Sequence, residues 1–142
     1  MSKYMNLIGL NAKKASLKKI KTETKNKILK RYSSLLVKEK NSIFKANTKD
    51  IKFAQKKGLK KNLIDRLVIN QKKLANIKNT VDKIARLKDP VNNILEKWSR
   101  PNGLTISRVS IPIGVIGVIY ESRPNVTSDV ASLCFKSGNA VI

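Results

Sequence analysis

Residues 112–130, which read PIGVIGVIYESRPNVTSDV, decide the fold. Residues 114–120 form a nearly continuous apolar run rich in β-branched side chains, which is typical of a strand covered on both faces in a parallel sheet. The run stops abruptly at a polar cluster made of Glu121, Ser122, Arg123, Pro124 and Asn125. Because ligands in open parallel sheets gather at the carboxyl ends of strands, the cluster is predicted to face a functional site.

The residues after this cluster complete a β-α-β unit. Residues 125–138 carry Val126, Val130, Leu133 and Cys134 at helical intervals, and Gly138 follows as a stop signal. NAVI at residues 139–142 then begins a second apolar strand, which gives the order of a parallel sheet. Two strands and one helix leave edges and faces uncovered, so we expect the front part of a longer protein or a truncated reading frame.

The residues before the cluster are predicted to be helical as far as residue 100. Thr22 or Thr24 is a candidate cap of a second helix, and Gly58 is placed to end a third. Asn70 is predicted to cap a helix that Asp89-Pro90 terminates. The buried stripe of that helix is expected to be Leu74, Ile77, Val81, Ile84 and Leu87. Residues 103–112 alternate apolar and polar residues with one slip at Arg108, which predicts a strand with a bulge.

The charge is extreme and unevenly distributed. The chain has 31 Lys and Arg residues against 9 Asp and Glu, a net charge of +22, and nearly all of the excess lies in residues 1–100. A nucleic-acid partner is one interpretation. However, 25 of the 31 cations are lysines and aromatic residues make up only 5% of the chain, whereas base readout favours arginine and stacking favours aromatics. We therefore predict solvated lysine faces and no specific nucleic-acid binding.

Cysteine and histidine usage limits the chemistry. Cys134 is the only cysteine and there is no histidine, so the sequence predicts no disulfide framework and no metal site. Cys134 has apolar helical neighbours and is expected to pack in the core. The sequence shows neither a signal-peptide run nor a membrane span, and a cytoplasmic location is the default.

The polar cluster contains side chains suited to binding a charged group. Arg123 offers a bidentate cation for phosphate or carboxylate, and Asn125 offers an uncharged amide donor of the kind that an oxyanion hole uses. A structural role is equally compatible with the spacing, with Asn125 or Ser122 capping the next helix and Pro124 opening it. Both interpretations stay open at this point.

Residues 112–142, PIGVIGVIYESRPNVTSDVASLCFKSGNAVI, closely resemble the gamma-glutamyl phosphate reductase (glutamate-5-semialdehyde dehydrogenase) family. The block YESRPNVT is highly specific to that family. Weaker similarity follows the family order at NTKDI (47–51), GLKKNLIDRL (58–67), ARLKDPV (85–91) and RPNGL (100–104). The resemblance therefore spans nearly the whole chain but only the first third or so of a family member.

This resemblance implies an aldehyde dehydrogenase-like α/β fold, incomplete here. Residues 1–100 would form a helical N-terminal layer, and residues 101–142 would begin a doubly wound, parallel-sheet dinucleotide-binding domain and a β arm that joins subunits. The implied reaction uses NADPH to reduce L-glutamyl 5-phosphate to glutamate 5-semialdehyde with release of phosphate. A cysteine thiolate would attack the acyl phosphate to give a thioester. The family places that cysteine beyond residue 142, so Cys134 would not replace it.

The resemblance also implies roles for the polar cluster. Asn125 would help to bind the oxyanion, and Glu121, Ser122, Arg123 and Pro124 would line the cofactor or substrate pocket. A homo-oligomer and a glutamate 5-kinase partner are further implications. Alternatives are another aldehyde dehydrogenase superfamily member, a basic helical nucleic-acid-binding protein, and a non-catalytic remnant of a broken gene.

Overall fold

The computed structural model describes residues 3–121 and 123–142, which form helices and short strands in an α/β arrangement. Five helices come first: α1 (Lys3–Ser16), α2 (Thr22–Lys38), α3 (Lys40–Lys56), α4 (Lys61–Leu67) and α5 (Gln71–Arg86). The remaining elements are β1 (Ile94–Ser99), β2 (Thr105–Val109), β3 (Val115–Ile116), α6 (Pro124–Lys136) and β4 (Ala140–Val141). Strand β3 precedes α6 in the chain and β4 follows it, and the two strands pair in parallel, which confirms the predicted β-α-β unit.

The helix ends show which predicted caps form. The Asn70 side chain accepts a hydrogen bond of 2.8 Å from the Lys73 amide and caps α5, as predicted. Gly58 follows α3 with a φ of 71°, a left-handed conformation that glycine adopts without a steric penalty. Thr22 begins α2, but the prediction of a threonine cap is wrong. Its hydroxyl donates to the carboxylate of Asp89 instead, 67 residues away.

The core lies where α5 packs against α2 and α6. Val81 is fully buried, and Leu29, Ile84 and Ala85 complete the central cluster. The predicted stripe of α5 is confirmed as far as Ile84, but Leu87 lies beyond the helix and is exposed, since no element that the structure describes covers it. Of the helices that the structure describes, none is long and apolar enough to cross a membrane.

Strand β1 corrects the prediction that the chain is helical up to residue 100. Its sequence, ILEKWS, pairs antiparallel with β2, and every β1 residue is exposed. The exposed strand lacks a buried face that would impose alternation on its sequence, so pairing with β2 determines its conformation. The predicted bulge lies in β1, between Ile94 and Glu96, rather than at Arg108. The domain division at residues 100 and 101 stays a prediction.

Strand β3 is shorter than the predicted strand over residues 114–120. Only Val115 and Ile116 pair with β4. Beside this pair, the Ala140 amide donates to the Gly114 carbonyl, the Ile142 amide to the Ile116 carbonyl, and the Val118 amide to the Ile142 carbonyl, the last at 2.8 Å. Beyond that bond the chain pairs with no strand that the structure describes, and Ile119 is fully exposed. The paired residues are half-buried, so the expected cover on both faces is not present within residues 3–121 and 123–142.

Candidate functional site

The polar cluster of residues 121–125 connects the chain that follows β3 with the start of α6. Pro124 occupies the first turn of α6, which confirms that it opens the helix, since a residue there needs no amide hydrogen for the helix ladder. Arg123 takes the cap position with extended backbone, and no side chain caps the helix among the described residues. The alternative that Asn125 caps the helix is therefore wrong. Ser122 lies outside the residues that the structure describes.

Asn125 is held by its neighbour one turn along α6. Its Nδ2 donates a hydrogen bond of 3.1 Å to Oδ2 of Asp129. An amide nitrogen carries two hydrogens, so one donor of the exposed Asn125 side chain remains free of this bond. The geometry is compatible with an oxyanion donor whose orientation a carboxylate fixes.

A second contact joins residue 120, which precedes the polar cluster, to α6. The Tyr120 hydroxyl and Oγ1 of Thr127 lie 2.5 Å apart. Glu121 and Arg123 lie between Tyr120 and the first residue of α6. Both side chains are exposed, and neither makes a hydrogen bond or an ion pair with the residues described. Their ionic groups are therefore available to a ligand, although their predicted roles in a pocket stay predictions.

A cavity of about 230 Å³ lies beside the first turns of α6. It brings Pro124, Asn125 and Asp129 together with residues from α4, α5 and the loop between them, among them Arg66, Lys73, Asn76 and Thr80. Glu121 and Arg123 do not line this cavity. The sequence predicts only Pro124 and Asn125 here. Asp129 lies four residues after Asn125 on a predicted helix, and this spacing is the one feature of the sequence that could have placed another cavity residue beside Asn125.

A buried polar cluster fixes the opposite end of α6. Nζ of Lys25 lies 2.9 Å from Oδ2 and 3.1 Å from Oδ1 of Asp89, and it also donates to the carbonyl oxygen of Lys136. Burial raises the pKa of Asp89, but hydrogen bonds from Lys25, the Val91 amide and Thr22 outweigh it and hold the pKa below its ordinary value. The Lys25–Asp89 ion pair thus joins α2, the loop after α5 and the end of α6.

Lys136 completes this cluster from the last turn of α6. Its Nζ donates to Oδ1 of Asn26 and to the carbonyl oxygen of Ala85, at 3.0 Å for the latter. Burial lowers the pKa of Lys136, because desolvation disfavours the ammonium form. Both Lys25 and Lys136 are 2% exposed, so the prediction of solvated lysines is wrong for these two. They anchor α6 and so set the position of its first turn.

Cys134 packs in the core, as predicted. It is buried in α6, and burial raises the pKa of its thiol. A neutral, desolvated thiol is a poor nucleophile, because the reacting species is the thiolate.

Curated relatives match most of this chain. No family model matches it. The gamma-glutamyl phosphate reductase of Persephonella marina is 47% identical over 126 residues, which is 89% of this chain and 28% of the relative. The enzyme of the same name from Caldanaerobacter subterraneus is 50% identical over 133 residues, which is 92% of this chain and 32% of the relative. The chain thus spans about a third of the length of these relatives.

Solved structures match the fold. The gamma-glutamyl phosphate reductase of Thermotoga maritima aligns with a TM-score of 0.87 and 39% identity over 92% of this chain and 32% of its own. The Saccharomyces cerevisiae enzyme of that name aligns with a TM-score of 0.91 and 35% identity over 99% of this chain and 36% of its own. The chain therefore belongs, as the counterpart of their N-terminal part, to the gamma-glutamyl phosphate reductase family.

Proposed function

We propose that this chain forms part of a cytoplasmic reductase that converts L-glutamyl 5-phosphate into glutamate 5-semialdehyde and phosphate for proline synthesis. The observation that carries the proposal is the 44–50% identity to reductases of that name over most of the chain. The agreement of the fold with two solved reductases supports it.

Asn125 is the residue that we assign to the oxyanion. When a thiolate adds to the acyl carbon, the carbonyl oxygen gains negative charge, and a fixed amide donor stabilises that charge more than it stabilises the substrate. The Asp129 carboxylate orients the Asn125 amide, and the Lys25–Asp89–Lys136 cluster holds the helix that carries it. These contacts supply the preorganisation that such a donor needs.

We assign the cofactor and phosphate contacts to the polar cluster at the start of α6. The Arg123 guanidinium has no partner within the described ranges, so it fits a phosphate or the pyrophosphate of a dinucleotide. Glu121, Ser122 and Pro124 would form the adjacent wall. NADPH, when bound, would supply the hydride.

The nucleophilic thiolate in this proposal belongs to a part of the reductase outside these 142 residues. Cys134 does not fit the role because its thiol is buried and its pKa is raised. We therefore expect purified residues 1–142 to oxidise no NADPH with glutamyl phosphate.

We also propose that the β1–β2 hairpin joins subunits of a homo-oligomer, which the exposure of every β1 residue supports. Glutamate 5-kinase, as the source of the acyl phosphate, is the partner that we propose.

A grafted enzyme tests the function. Residues 1–142 replace the matching segment of the Thermotoga maritima reductase, to which they are 39% identical. We expect phosphate-dependent reduction of NADP⁺ with glutamate 5-semialdehyde. Asn125→Ala should lower kcat by about tenfold or more, the scale of losing one oxyanion donor. Asn62→Ala, an exposed asparagine of α4, should leave kcat unchanged. A folded graft without activity, beside an active parent enzyme, would contradict the proposal.

A further inference from the structure

The cavity beside α6 has a lining of mixed charge. Arg66 and Lys73 contribute cations from α4 and α5, and Asp129 contributes a carboxylate from α6. Asn76, Thr80 and Asn125 add uncharged hydrogen-bonding groups. A ligand that carries one carboxylate and one ammonium group complements such a lining, whereas a purely anionic or purely apolar ligand does not.

The carboxylate of Asp129 has one oxygen in use and one without a partner. Oδ2 accepts the hydrogen bond from Asn125, whereas Oδ1 is buried and has no hydrogen-bond partner among the described residues. A buried carboxylate oxygen without a donor costs free energy, which a ligand donor that reaches it would recover. An ammonium donor forms a shorter and stronger hydrogen bond with a carboxylate than a neutral donor does.

The two cations retain free donors. The Arg66 side chain is exposed and makes no hydrogen bond or ion pair with the part of the chain that the structure describes. Lys73 donates one hydrogen bond of 2.8 Å to the carbonyl oxygen of Asp65, which leaves two of its three hydrogens. Both groups suit a ligand carboxylate.

We infer that this cavity binds the amino-acid end of the substrate, with Arg66 and Lys73 on its α-carboxylate and Asp129 on its α-ammonium. Asn125 belongs both to the cavity and to the proposed oxyanion site, so the cavity begins where the reacting carbonyl would lie. In a glutamyl group only two methylene carbons separate that carbonyl from the α-carbon. The inference rests on the proposed function and makes Asp129 a specificity-determining residue.

Two substrates that differ in the ammonium group test this assignment in the grafted enzyme. Glutamate 5-semialdehyde carries it, and glutarate semialdehyde keeps the carboxylate but lacks the ammonium. We expect Asp129→Asn to lower the ratio of their kcat/KM values about tenfold or more, mainly through KM for the amino substrate. Arg66→Gln should raise KM for both substrates by about tenfold, since both carry the carboxylate.

Matched controls separate recognition from structure. Asp65→Asn and Lys72→Met change exposed residues next to the tested ones that do not line the cavity, and both should leave the ratio and KM unchanged. A merely structural effect of Asp129→Asn would lower activity on both substrates and leave their ratio constant. An unchanged ratio in an active Asp129→Asn enzyme would overturn the inference.

Direct binding decides the inference if the grafted enzyme folds but is inactive, an outcome that contradicts only the proposed function. Calorimetric titration with L-glutamate should then show binding that Asp129→Asn and Arg66→Gln each weaken about tenfold or more. Equal binding by the unsubstituted and substituted proteins, or no binding at all, would overturn the inference.

Discussion

At the residue scale, Asp89 is the acidic partner of the buried Lys25 ammonium, and its charge also favours the ammonium form of the buried Lys136 without a direct contact. Lys25 contacts the carboxylate directly, and Lys136 lies in the same cluster. We expect Asp89→Asn to lower the free energy of unfolding by about 3–5 kcal/mol, the cost of leaving a buried charge unpaired. Urea denaturation at low ionic strength measures the loss.

Asp50→Asn is the matched control for this substitution, because Asp50 is exposed on α3. It should change the free energy of unfolding by less than about 0.5 kcal/mol, as surface substitutions usually do. Equal losses for the two variants would show that the Lys25–Asp89 ion pair contributes nothing beyond a surface charge.

The same cluster predicts that stability rises with pH in two separate windows, one acidic and one alkaline. The folded pKa of Asp89 lies below its ordinary 3.8, so its stabilisation is present above that pH and is lost as the pH falls through the folded value. The folded pKa of Lys136 lies below its ordinary 10.5, so the unfolded chain binds more protons and stability rises as the pH approaches 10.5.

Lys136→Met isolates the alkaline effect. We expect its urea midpoint to stay flatter than that of the unsubstituted chain between neutral pH and pH 10.5, because the titrating ammonium is gone. Parallel pH profiles for the two proteins would contradict the lowered pKa of Lys136.

At the element scale, the turn from α6 into β4 depends on Gly138. Its φ is 73°, and an added Cβ would lie 3.0 Å from Cγ of Pro112 and 3.3 Å from Cγ2 of Val91. Gly58, with a φ of 71°, has nothing within 4 Å of such a Cβ. Gly58→Ala should therefore cost about 1–2 kcal/mol for the left-handed backbone alone, and Gly138→Ala about 1–3 kcal/mol more for the contacts. The urea midpoints of the two variants measure these losses of stability. Equal losses for Gly58→Ala and Gly138→Ala would contradict the close packing of Pro112 and Val91 around Gly138.

Local signals predicted the helices and the β-α-β unit, whereas nonlocal contacts determined what the sequence could not predict. Asn70 and Gly58 act on their own helix ends, so their positions were sufficient to predict them. Strand β1 forms because it pairs with β2, and its own sequence lacks an alternating pattern. Among the cavity residues, Asn125 and Pro124 were predictable from their place after an apolar strand. Nothing in the sequence distinguished Arg66 from the other solvated cations, because only the tertiary fold places it at the same cavity as α6.

At the scale of the whole molecule, strong positive charge coexists with exposed apolar surface. The net charge is +22, yet Ile113 is 83% exposed and Ile119 fully exposed. A groove of about 720 Å³ between α1, α2, α6 and β4 is also mainly apolar, with Ile28, Tyr32 and Phe135 in its lining. Charge repulsion and apolar attraction between copies of the chain therefore oppose each other, and salt changes only the first strongly.

This opposition gives a salt test of the chain alone. The Debye length falls from about 10 Å at 0.1 M salt to about 3 Å at 1 M, so added salt should weaken repulsion and promote self-association of residues 1–142. Sedimentation velocity at increasing NaCl should show the weight-average mass rising above 15.9 kDa.

Nucleic-acid binding has the opposite salt dependence, because neutralised phosphates release counterions. Weak duplex-DNA binding that disappears by 0.2 M salt would fit nonspecific attraction, whereas tight binding that survives there, with a monomeric chain at 1 M, would favour the basic-protein alternative.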